Sequence, residues 1–184
     1  MAWKLAYLRE QAGRFGGGTA SLSRAFCIPE EVVTRSPRYE RVLLFLAVTL
    51  MELHGIRVWV TARPEYSAVD GFALVPGRRA VLANWVRTEA LWQVDAVAGR
   101  AQLRSYLEIS HDVRGQSVVE GADPETRLRA LAAYLCLDWP WLVRRCGELG
   151  ETGVAGVVRP RSRLLGVEAV DDVLHFLGKL PGDR

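Results

Sequence analysis

The sequence predicts an α+β fold: an N-terminal helical bundle, a small antiparallel sheet in the middle, and C-terminal helices with a winged-helix-like hairpin. Three observations carry this. Apolar residues recur at helical spacing from Tyr39 to Leu53, the period drops to about two from Ile56, and capped helices return after Asp123. The order helices, sheet, helices is that of an α+β chain and not of alternating strand-helix-strand units. With 184 residues and 49% hydrophobic content, the chain is long enough to bury one substantial core or two small ones. The predicted domains are 1–55 (helical, helix-turn-helix-like), 56–115 (small sheet) and 123–184 (helices with a β-hairpin).

Taken in order, Leu5, Leu8 and Ala12 fall on one helical face, and a glycine-rich loop spans Gly13–Gly18. Thr19 or Ser21 is placed to cap the next helix. Pro29, Glu30 and Glu31 suit the first turn of a helix, and Ser36-Pro37 punctuates before the long helix Tyr39–Leu53. Ile56–Thr61 reads as a strand. Gly71–Val75 and Ala80–Ala83, joined through Pro76-Gly77-Arg78-Arg79, read as a hairpin. Leu91–Asp95 adds a short strand, a helix runs from about Gly99 to Ile109, and the polar stretch His111–Asp123 is the expected linker. Asp123-Pro124 starts a helix through Leu135. A second begins after Asp138, with Pro140 in its first turn, and ends near Gly147 or Gly150. Val154–Val158 and Arg163–Val167 flank Arg159-Pro160-Arg161-Ser162 as a hairpin, and a last helix covers about Ala169–Leu177.

Charge and composition bound the function. The net charge is +3, and Lys4 and Lys179 are the only lysines, so the positive charge is almost all arginine, the side chain suited to bidentate phosphate and guanine contacts. An arginine-rich composition is equally what a GC-rich genome produces. Three cysteines, Cys27, Cys136 and Cys146, lie far apart among apolar residues, as reduced core thiols of a cytoplasmic protein would. His54, His111 and His175 are too dispersed to join them in a zinc site, so neither metal nor cofactor is expected. The N-terminal residues lack the apolar run of a signal peptide, and Val42–Met51 is too short to span a bilayer.

Leu22–Arg35 offers the apolar positions of a helix-turn-helix in Leu22, Phe26, Ile28 and Val33. Together with Leu5–Gly13 before it and Pro37–Ala47 after it, the segment resembles the XRE, or Cro/phage-repressor, family of helix-turn-helix regulators over about the first third of the chain. Cys27 stands where that family favours glycine, and Glu30 and Glu31 open the helix that would face phosphates. The resemblance implies DNA contact from Arg24, Thr34, Arg35 and Arg38; the alternative is a helical bundle that no longer binds DNA. Val58-Trp59-Val60, Gly71–Val75 and Ala80–Ala83 resemble the sensor-like domain C-terminal to the DNA-binding domain in actinobacterial XRE regulators, which implies a role in dimerisation or partner sensing.

Leu131–Arg145 fits the helix-turn-helix template a second time, with Leu131, Leu135, Leu137 and Leu142 as its apolar set. Arg144 and Arg145 lie on its second helix, and Arg159, Arg161 and Arg163 come next on the hairpin, an order of helix, helix and wing suited to phosphates and a minor groove. The plainer alternative is a helical hairpin with solvated arginines. Of the six tryptophans, Trp59 is expected on a sheet surface, while Trp139 and Trp141 flank Pro140 and lock the second helix to the core. Catalytic signatures are missing: Gly16–Gly18 lacks a following Gly-Lys-Ser/Thr, no Gly-x-Ser-x-Gly or His-Glu-x-x-His occurs, and Glu108, His111 and Asp112 fall in or beside the linker. The expected function is a non-enzymatic, DNA-binding transcriptional regulator or co-regulator that acts on double-stranded DNA as a homodimer through the central sheet and long helix. The alternative is a protein-protein interaction module with a degenerate helix-turn-helix.

Overall fold

The first described strand, β1 (Ser23–Cys27), stands where a helix is predicted. Pro29 disfavours helical dihedrals at Ile28 alone, so Ser23–Cys27 owes its strand character to the partner strand and not to the proline. The segment extends instead and pairs with β2 (Arg57–Thr61), the Ile28 N–H donating to the Thr61 carbonyl at 2.9 Å. Ser23–Arg35 is thus strand then helix rather than a helix-turn-helix, and the stretch 1–55 is not uniformly helical. The computed structural model describes residues 10, 13, 23–83, 94–153 and 166–182. Most of the predicted N-terminal bundle, the start of the predicted strand at Leu91, and the hairpin with Arg159, Arg161 and Arg163 lie outside those residues. Val167, its predicted last residue, opens a helix.

The described residues form mixed helix and small antiparallel sheet, in two compact units. The first unit is drawn from Glu30–Trp59 and Val118–Arg184 and holds α1 (Glu30–Arg35), α2 (Arg38–Leu53), α4 (Pro124–Tyr134), α5 (Trp139–Thr152) and α6 (Val167–Gly178). Its core joins Phe45 and Val48 of α2, Leu128 and Leu131 of α4, Leu142 and Cys146 of α5, and Val173 and Leu177 of α6, all buried. Trp139 is buried edge-on against Phe45, with ring centroids 6.5 Å apart, as predicted for a residue that locks α5 to the core. Helices α5 and α6 approach closely where glycines meet. A β-carbon on Gly178 would lie only 2.6 Å from the Gly147 Cα.

A buried ion pair ties this unit together. Glu52, at the end of α2, and Arg127, on α4, have side chains 2% and 8% exposed and approach to 2.5 Å. Each finds further partners, as a buried charge must. Glu52 accepts the Val58 N–H at 3.0 Å, and Arg127 donates to the carbonyls of Gly121 and Ala122 at 3.2 and 3.0 Å.

Helices α4 and α5 begin as the sequence predicts. Asp123 accepts the Thr126 N–H at 2.9 Å, and its carboxyl is held below the ordinary range, chiefly by that bond and by the Thr126 hydroxyl. Asp138 caps α5 through the Trp141 N–H at 2.7 Å. Asp138→Ala is expected to lower stability by about 1 kcal/mol, read as a fall in the urea midpoint with an unchanged slope. Helix α5 runs past both Gly147 and Gly150 to Thr152, closing at Gly153 with a positive φ of 72°.

The second unit comprises Ala25–Pro29 and Val60–Ser117. The predicted hairpin is present: β3 (Gly71–Val75) pairs antiparallel with β4 (Arg79–Ala83), Phe72 opposite Leu82 and Leu74 opposite Ala80. Pro76 and Gly77, the latter at φ +70°, supply the turn, closed by the Arg78 N–H donating to the Val75 carbonyl at 3.0 Å. β5 (Val94–Val97) adds to the other edge of β4. Helix α3 (Arg100–Gly115) packs on this sheet, with the Tyr106 ring 4.8 Å from that of Phe72. It runs six residues past the predicted end at Ile109, so His111 is helical and the linker starts at Gln116. Polar residues mislead here because that last stretch of α3 is largely exposed, apart from buried Val113. No helix among the described residues is long and apolar enough to cross a membrane.

Candidate nucleic-acid interface

The two helices of the second helix-turn-helix candidate form as predicted, and the four apolar positions named for it are all buried: Leu131, Leu135, Leu137 and Leu142. The turn between them is built by backbone bonds. The Leu137 N–H donates to the Ala132 carbonyl at 2.8 Å and the Cys136 N–H to Ala133 at 3.0 Å, the paired bonds of a Schellman helix ending. That ending needs a left-handed residue. Cys136 fills the position with φ 51°, where glycine is commoner. Arg41 of α2 then donates to the freed Leu135 carbonyl at 2.8 Å, a cap that sequence spacing did not disclose.

Beyond the turn, α5 turns Leu142, Val143 and Cys146 inward, and Trp141, Arg144, Arg145 and Glu148 fall on the opposite face by their three- and four-residue spacing. Arg144 and Arg145 are exposed. Arg144 makes no ion pair among the described residues, whereas Arg145 bridges Glu148 at 2.9 Å with both side chains more than half exposed. Glu151 is also exposed on this helix, so it carries two arginines and two glutamates outward.

Arg38 belongs with this face. Its guanidinium stacks over the Trp141 ring, 4.3 Å from the centroid, at the first turn of α5. The stack brings a residue from the N-terminal candidate set to the C-terminal one. Of the remaining residues in that set, Thr34 donates its hydroxyl to the Glu30 carbonyl at 2.9 Å, and Arg35 bridges Glu31 at 2.5 Å on the exposed α1. Arg24 stands half-buried on β1. These three have no helix-turn-helix to present them. Arg159, Arg161 and Arg163 come after α5 in sequence but lie outside the described residues.

The cysteines are all free, but only Cys146 is a core thiol, its pKa pushed up to about 11 by burial. Cys27 is half-buried on β1 and Cys136 is exposed in the turn, where the left-handed backbone carries it outward. Trp59 is half-buried beneath the Arg57 guanidinium at 4.2 Å instead of standing open.

In the second unit, Tyr66, Ser105, Glu108, Ile109, His111 and Asp112 line an open depression of about 460 Å³. Tyr66 donates its hydroxyl to Asp112, which holds the phenol pKa above its usual value. No three His, Cys, Asp or Glu side chains among the described residues are grouped to hold a metal. No family model, curated protein or solved structure matches the chain.

Proposed function

We propose that the chain is a non-enzymatic DNA-binding regulator whose duplex contact is the hairpin of α4 and α5, with Arg144, Arg145 and Arg38 against phosphates. The observation that carries this is the arrangement at α5: the second helix of the α4–α5 hairpin, with Leu131, Leu135, Leu137 and Leu142 buried and two consecutive arginines facing out. A helix so presented suits a major groove, and neighbouring arginines supply counter-ion release. Arg159, Arg161 and Arg163 extend the same basic character just after α5 in sequence.

The test is fluorescence anisotropy with random-sequence duplex DNA across a salt series. Wild type is expected to bind at low salt and weaken steeply as salt rises. Arg144→Ala/Arg145→Ala is expected to lower the slope of log affinity against log salt by about 1 per arginine. Both side chains are exposed, so the fold should survive. Changing Arg159, Arg161 and Arg163 to Ala tests the segment after α5 separately. No binding of wild type at low salt would overturn direct DNA contact.

A second reading is favoured by one observation: Glu148 and Glu151 balance the two arginines on α5, and Glu148 already holds Arg145. That suits a protein-interaction module better than a phosphate surface. Its signature would be partner binding that changes little with salt.

A further inference from the structure

The three arginines of the α5 surface are held in three different ways. Arg145 is engaged with Glu148 at 2.9 Å, so it must leave a carboxylate before it can meet a phosphate. Arg144 is exposed and makes neither an ion pair nor a side-chain hydrogen bond among the described residues, so its long side chain is left to sample rotamers. Arg38 is the third case. Its guanidinium lies over the Trp141 ring, 4.3 Å from the centroid, and it too makes neither an ion pair nor a side-chain hydrogen bond among the described residues.

The stack fixes the cation without consuming its donors. Attraction to a ring face acts on the charge, which leaves the guanidinium N–H groups to an outside acceptor. The ring is fixed in its turn: Trp141 stands half-buried in the first turn of α5 and donates its backbone N–H to the Asp138 carboxylate at 2.7 Å. Arg38 is fixed at its root as the first residue of α2. The side-chain entropy that a free arginine loses on meeting a phosphate is therefore largely lost already in Arg38. Arg144 and Arg145 lie three and four residues beyond Trp141, about one helical turn on, so the stack sets the Arg38 charge beside theirs.

We propose that Arg38 is the principal phosphate contact of this surface and that Trp141 is its positioning residue. That role rests on the DNA-binding reading of α5. Charge alone, equal in the three arginines, would not rank them.

Anisotropy of the full chain with random-sequence duplex DNA at low salt tests it in a double-mutant cycle. Arg38→Ala is expected to weaken binding about tenfold and Arg145→Ala about threefold. Trp141→Leu is expected to weaken it roughly three- to fivefold with Arg38 present and to change nothing further in Arg38→Ala. Trp141→Phe, which keeps a ring, should stay within about twofold of wild type. A Trp141 that only shapes α5, or touches DNA itself, costs as much in either background, and that result overturns the positioning role. Arg145→Ala weakening binding as much as Arg38→Ala overturns the ranking. In the NMR spectrum of the free protein, the Trp141 ring current is expected to move the Arg38 Hε resonance upfield, a shift lost in Trp141→Leu. An unmoved resonance overturns the stack without reference to DNA. Wild type that binds no DNA overturns the α5 reading and this role together. Binding lost in Arg144→Ala/Arg145→Ala but untouched by Arg38→Ala leaves the α5 reading standing and overturns the role of Arg38.

Discussion

Arg127→Met is expected to lose about 3–5 kcal/mol of stability, because it leaves a nearly inaccessible Glu52 carboxylate without its counter-charge. The loss would appear in urea unfolding as a lower midpoint. Removing both charges should cost less than removing one, since replacing a buried pair by apolar side chains is often neutral or better. Here the relief is incomplete. Glu52 also accepts the Val58 N–H, so Glu52→Leu/Arg127→Met leaves a buried amide unpaired, at about 1–3 kcal/mol. The double variant should therefore lie between Arg127→Met and wild type. A loss below about 1 kcal/mol for the single variant would mean that water reaches Glu52 and that the pair is not a core element.

Gly178→Ala is expected to cost about 1–3 kcal/mol or more, the range of overpacked cores. Its new methyl would sit 2.6 Å from the Gly147 Cα and 3.1 Å from the Gly147 nitrogen, and backbone atoms cannot swing aside as a side-chain tip does. Helix α6 would have to move off α5. Gly147→Ala is the control. There the added carbon meets Gly178 at 3.6 Å, an ordinary contact, and alanine suits a helix interior better than glycine by up to about 1 kcal/mol. The pair should thus move the unfolding midpoint in opposite directions. Equal effects from both would rule out a steric origin.

The legible parts of the fold were those written locally in the chain. Pro76-Gly77 between alternating apolar residues announced the β3–β4 hairpin, and Asp123-Pro124 and Asp138 with Pro140 announced α4 and α5 within a residue or two. β1 was not legible. Five residues without clear alternation acquire strand character from a distant partner, and helical spacing in Leu22, Phe26 and Val33 imitated the first half of a motif. Within the candidate interface, Arg144 and Arg145 could be named from the chain, because exposure on a capped helix is set by spacing. That Arg38 joins them could not, since it depends on α2 meeting the first turn of α5 across the fold. Glu52 and Arg127, 75 positions apart, left no local trace of pairing.

The ends of the long segment Val60–Ser117 meet. The Val60 N–H donates to the Ser117 hydroxyl oxygen at 3.0 Å, and Thr61 bridges to Ser117 beside it. The sheet is in effect an excursion looped out between α2 and α4, whose core cannot close until that loop has closed. The entropy of closure rises only with the logarithm of length, about 0.6 kcal/mol for each doubling, so the excursion can gain or lose residues at little thermodynamic expense to the helices. The penalty falls on time instead. Contacts separated by so much chain raise the contact order and slow folding, so inserted length should tax the rate of folding more than its equilibrium.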